Sequence, residues 1–130
     1  MKTANGLAVS TNSPGAVDAM DQFQFEIISS GQNPDTIIDA AKQHPDCVLI
    51  QIYTAMFYLY AQDNAATTQS IPYLIRAEKH LEKANLRERL LFNAVQNWQE
   101  LNYQAAMTDL TALVRLYPQD TLAVKVAEWI

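Results

Sequence analysis

The chain has 130 residues, 49% of them hydrophobic, with only three glycines and a formal net charge of −5. That length and composition define one helix-favouring domain with room for a core, and they exclude a disordered tail. An acidic chain without a Lys/Arg cluster has little with which to neutralise phosphates, so neither nucleic acid nor an anionic membrane surface is expected as a partner.

Cys47 is the single cysteine, which rules out an internal disulfide framework and a cysteine-based zinc site. Residues 1–12 hold one lysine and lack the apolar stretch of a secretory signal. The longest apolar run, Cys47–Tyr60, is broken by Gln51 and Thr54 and falls short of the about 20 residues that span a bilayer. A cytoplasmic location is the default expectation.

Residues 1–12 read as an irregular arm, and residues 13–130 as one helical domain. Ser13-Pro14 supplies a cap and a proline at the first helical position. Val17, Met20, Phe23 or Gln24, and Ile27 then recur at helical spacing until Ser29-Ser30-Gly31 stops helix one. Asn33-Pro34-Asp35 starts a short second helix with Ile37, Ile38, Ala40 and Ala41 along its stripe, and His44-Pro45 ends it. Asp46 caps a third helix, about Cys47–Gln62, and the polar stretch Gln62–Ser70 reads as a linker. Helix four is expected over Ile71–Ala84. Asn85 caps helix five with Glu88 in capping-box position, and that helix runs to about Leu101. Helix six covers Tyr103–Tyr117, and Asp120 caps a seventh. No segment shows sustained strand alternation. The expectation is an all-α fold of about seven helices in antiparallel hairpins joined by short turns.

Helices five and six carry the most specific pattern. Ala94, Tyr103, Ala106, Leu110, Leu113 and Pro118 stand at relative positions 8, 17, 20, 24, 27 and 32. These resemble the small, aromatic and proline positions of the tetratricopeptide repeat, whose period is about 34 residues. Small Ala94 and Ala106 let two helices approach, Tyr103 is expected to wedge the turn, and Pro118 terminates the second helix. A weaker copy precedes it, with Ala55 and Tyr58 in its first helix and Ala77, Leu81 and Ala84 in its second. The copies depart from the pattern at Gln51 and Leu90, where a large aromatic belongs, and at Asn97, which replaces a tyrosine.

The stretch Asn5 to Ser13 followed by Ala16 to Asp21 is similar to the start of the tetratricopeptide repeat protein 38 family. Leu86-Arg87-Glu88-Arg89-Leu90 with Ala94, Tyr103-Gln104-Ala105-Ala106, and Tyr117 to Ala123 resemble its later motifs. Members of that family are considerably longer and have no assigned catalytic residues. The resemblance therefore implies the amino-terminal portion of an α-solenoid and brings no chemistry with it. The closing Ala127-Glu128-Trp129-Ile130 lies inside an amphipathic helix without a polar cap, so the solenoid is expected to be truncated at its carboxyl end.

Candidate sites are few. His44 and Cys47 are three apart, but Pro45 lies between them and a lone thiol is commonly a small buried group. His80 lacks metal-ligating neighbours at helical spacing, and no metal or other cofactor is expected. Asp18, Asp21, Asp35 and Asp39 are read as first-turn carboxylates favoured by the helix dipole. Arg87 and Arg89 are assigned to inter-helix ion pairing. No nucleophile–base pair, metal triad or phosphate loop marks an enzyme.

The third helix is apolar on nearly every side and must be buried all round. By repeat register the concave face of the solenoid would present Leu49, Ile52, Tyr53 and Met56, and then Leu91, Phe92, Val95 and Trp98. The Lys, Arg and Asn set that clamps acidic tails in chaperone-binding tetratricopeptide domains is missing from this face. Such a strip is unusual for a monomer and has to be covered: by helix one, further repeats, a second copy, or an apolar ligand or partner segment. These residues are the expected groove of a non-catalytic scaffold that binds a protein or peptide. The alternatives are a self-associating structural module and a carrier of a small apolar ligand.

Overall fold

Three of the helices begin where a side chain satisfies their free N–H groups. In a computed structural model, which describes residues 1–29, 31, 34–61 and 65–129, Ser13 caps α1 (Pro14–Ile28) by accepting the Ala16 N–H at 3.3 Å, with Pro14 at the first position. The helices that follow are α2 (Thr36–Gln43), α3 (Val48–Ala61), α4 (Ala66–Lys79), α5 (Leu86–Gln99), α6 (Tyr103–Leu116) and α7 (Thr121–Trp129). Asn85 and Glu88 close the expected capping box on α5, and Asp120 accepts the Ala123 N–H at 3.1 Å to cap α7. The described residues are all-helical apart from turns and one isolated bridge between Lys2 and Ala8.

Three boundaries differ from the sequence expectation. The linker foreseen over Gln62–Ser70 is helical from Ala66, and α4 continues through Pro72. Gln62, Asp63 and Asn64 lie outside the described residues, as do Ser30 and Asn33 of the earlier turn and the terminal Ile130. Buried Ser70 donates to the Thr67 carbonyl at 2.7 Å, so a residue read as linker is packed inside the helix. At its other end α4 stops at Lys79, and Leu81–Lys83 forms a single 3-10 turn. Helix α5 ends two residues early because Leu101 adopts φ 64°, and the Asn102 N–H then reaches back to the Asn97 carbonyl at 2.8 Å. That left-handed closure is normally made by glycine.

Helix α3 packs most extensively on α4 and α5 on α6, while α3 also meets α5, α2 and α1, and α1 meets α2. Ala55, Ala77, Ala94 and Ala106 are all buried in the core. Tyr103 does not wedge its turn; it is 47% exposed at the start of α6. Helix α3 lies at the centre, buried without a break from Val48 to Met56 and touched by α1, α2, α4 and α5. Its two polar positions have structural duties. Gln51 donates through Nε2 to the carbonyls of Ala41 and His44, both at 3.0 Å, capping the end of α2. Thr54 donates to Ile50 at 2.8 Å. A glutamine is buried at this position because the carbonyls at the end of α2 need donors there. Helix α7 packs on α6 and also on α1, bringing the first and last helices together.

Candidate protein-interaction surface

All eight residues expected to line an open groove are buried. Leu49, Ile52, Tyr53, Met56, Leu91, Phe92, Val95 and Trp98 belong to one continuous core, none more than 6% exposed. The open apolar groove is therefore corrected to a filled one, and the chain supplies its own cover. Phe23 of α1 stacks on Tyr53 with ring centroids 5.2 Å apart. Trp129 of α7 sits 4.4 Å from Tyr60 and 6.1 Å from Trp98, closing the ends of α3 and α5. The physical reason is the one that made the strip conspicuous, since so much contiguous apolar surface is stable only out of water.

What the chain grips with polar side chains is its own amino-terminal arm. Residues 1–10 form a folded-back loop, turned at Gly6 (φ 80°) and closed by the Thr3 N–H on the Leu7 carbonyl and the Val9 N–H on the Met1 carbonyl. Leu7 and Val9 point alternate side chains into the protein and are buried. Side chains of the helical body then hold the backbone between them. The Ala8 carbonyl accepts from Asn85 Nδ2 at 3.0 Å and from Arg87 Nη2 at 3.3 Å. The Ser10 N–H donates to Glu88 Oε2 at 3.1 Å, while Oε1 of the same carboxylate takes the Asn85 N–H at 3.0 Å. Farther out, the Ala4 N–H donates to Asp21 Oδ1 at 2.9 Å, and Asn5 Nδ2 donates to the Gln119 carbonyl at 3.1 Å. Asp21 is thus an anchor for the arm and not a first-turn carboxylate; α1 has no acidic residue in its first turn.

Beneath the arm lies a buried polar knot. Arg87 Nη1 meets Asp120 Oδ2 at 2.9 Å, each residue 2% exposed, which is the inter-helix ion pair expected of Arg87. Arg89 instead donates to the carbonyls of Ala84 and Glu82, closing the turn before α5. The Tyr53 hydroxyl joins the knot through Arg87. Burial drives its pKa far above the ordinary tyrosine value, and the charge of Asp120 adds to the rise. Burial also opposes the Arg87 charge, but Tyr53 and Asp120 outweigh it and leave the guanidinium above its ordinary value. Arg87 is thereby fixed as a cation whose free face is turned to the arm carbonyl.

A second cleft, about 340 Å³, opens beside the arm between Thr11, Ser13, His44, Cys47 and Lys83. It brings His44 and Cys47 to one place, yet burial pushes the Cys47 thiol above its ordinary value despite the helix N–H groups of Ile50 and Leu49. A thiol held protonated is not an activated nucleophile. Among the described residues no three His, Cys, Asp or Glu side chains are grouped to hold a metal, and no helix is long and apolar enough to cross a membrane.

No family model, curated protein or solved structure matches this chain. The arm cleft was not foreseen from sequence. Its signals were faint: the alternation of Leu7 and Val9 within a segment read as irregular, and the crowding of Asn85, Arg87 and Glu88 at one helix start.

Proposed function

We propose that the chain is a non-catalytic protein-interaction scaffold of the tetratricopeptide kind, which grips an extended peptide segment by its backbone. One observation supports this above the others: the seating of residues 3–10, where side chains of α1 and α5 bind main-chain groups and the body buries alternate side chains. Main-chain hydrogen bonds give affinity to such a complex, and pockets for alternate residues give selectivity. The preferred ligand has two apolar residues separated by one small residue, as in Leu7-Ala8-Val9. A small apolar ligand has less in its favour, because protein fills the apolar strip.

The test uses the full chain carrying Leu7→Asp, which unseats its own arm. A labelled synthetic peptide of residues 1–12 should bind this variant saturably by fluorescence anisotropy, and the same peptide with Leu7→Asp should not. A variant with native helical circular dichroism that ignores the peptide would sink the proposal.

A further inference from the structure

We infer that the natural occupant of the arm cleft in trans is the arm of a second copy, so that two chains exchange residues 1–10 and form a dimer; this rests on the scaffold reading above. The arm meets the body through five hydrogen bonds, all but one of them to arm backbone, and through the buried side chains of Leu7 and Val9. A second arm reproduces every one of those contacts, which no other segment is bound to do. Exchange of identical elements creates no new surface and leaves only the hinge and the loss of independent motion to decide the balance. The hinge is short and polar. Asn12 is exposed, and within the hinge the Ser13 N–H donates to Thr11 Oγ1 at 3.2 Å.

Charge favours the same occupant. Lys2 is the only charged side chain among residues 1–12, whereas residues 13–130 carry all 14 acidic residues of the chain. The carboxylates of Asp21 and Glu88 face the arm backbone directly. An incoming arm is therefore attracted to a body just as that body's own arm is. The same contacts hold the arm in the closed monomer, so exchange is limited by release and governed by the effective concentration of the tethered arm.

The experiment refolds the unmodified full chain from urea at about 1 mM, near the effective concentration of a short tether, and at a thousand-fold lower concentration. Both samples are read by sedimentation velocity after dilution to one concentration. A slowly reverting dimer is expected from the concentrated sample and monomer from the dilute one. In Leu7→Asp the arm is released from the cleft altogether and the open monomer prevails, so the dimer should fall by about ten-fold or more.

Asp21→Ala supplies the discriminating measurement. It removes one tether from closed and exchanged forms alike, so the dimer fraction should stay close to that of the unmodified chain. Reversion on dilution should quicken by about five-fold, because release of the arm sets the rate. A chain that stays monomeric in both refolding samples overturns the inference. So does a dimer that persists in folded Leu7→Asp, or one whose reversion ignores Asp21→Ala. If the synthetic arm peptide binds but no exchanged dimer forms, the scaffold reading stands and the second-copy occupant falls. If the dimer forms but free peptide does not bind, the cleft accepts only a tethered arm and the reading as a general peptide scaffold falls.

Discussion

Removing one member of the Arg87–Asp120 pair should be among the costliest single changes in the chain. Both side chains are 2% exposed, so Asp120→Ala leaves a guanidinium buried without its counter-ion, a loss of about 3–5 kcal/mol. The same substitution removes the acceptor for the Ala123 N–H, adding about 1 kcal/mol for the lost cap of α7. Unfolding entropy of about 2.1 cal/mol/K per residue over 130 residues makes 1 kcal/mol worth about 4 °C, so Tm should drop by about 15–25 °C. Arg87→Met keeps most of the volume and strands Asp120 instead, at about 3–5 kcal/mol. The double variant leaves no orphaned charge and should be more stable than Asp120→Ala alone. Urea unfolding of the four proteins gives the coupling energy, expected at about 2 kcal/mol or more. If the two single effects add within about 0.5 kcal/mol, the pair is not the buried, mutually dependent unit described above.

Three further outcomes are expected. Burial keeps the Cys47 thiol and the Tyr53 hydroxyl protonated beyond their ordinary values of 9.0 and 10.0, so above those pH values the unfolded chain has lost protons that the folded chain retains. Stability should therefore fall as pH rises through 9 and more steeply past 10; urea midpoints of Tyr53→Phe should lose the second component, and parallel curves for the two proteins would refute its origin. Leu101→Gly relieves a left-handed residue at the end of α5 and should raise stability by about 1 kcal/mol, with a fall in Tm counting against that account. Phe23→Ala should cost about 3–5 kcal/mol in urea unfolding, because the ring is 1% exposed and stacks on Tyr53; a loss below about 1 kcal/mol would mean that α1 does not cover the core as described.

The features legible in the sequence were those decided within a few residues. Ser13-Pro14, the Asn85 and Glu88 box and the Asp120 cap each satisfy local N–H groups, so their spacing alone located helix starts. The start of α4 was misplaced because the polar run Gln62–Ser70 reads locally as a linker. Burial of Ser70, Leu74 and Ala77 instead carries the helix from Ala66 through Pro72. The groove residues were correctly seen as needing cover, yet periodicity does not say which distant element provides it. Phe23 is 30 positions and Trp129 is 31 positions away from the respective ring each covers, Tyr53 and Trp98, and no local pattern links them. The arm was missed because its partners, Asp21, Asn85, Arg87, Glu88 and Gln119, converge only in the folded chain.

The aromatic cluster at the end of α7 gives the protein an unusual optical property. Trp98 and Trp129 are the only two tryptophans in the chain, and their rings lie 6.1 Å apart in one cluster with Tyr60. The intrinsic emission of the whole protein thus originates at one place, the docking of α7 across α3 and α5. Detachment of that nine-residue helix would change nearly all of the tryptophan signal while most of the helical ellipticity remained. Emission and far-ultraviolet melting curves that separate on heating would then record undocking of α7 ahead of the global transition, and curves that coincide would mark it as part of the cooperative unit.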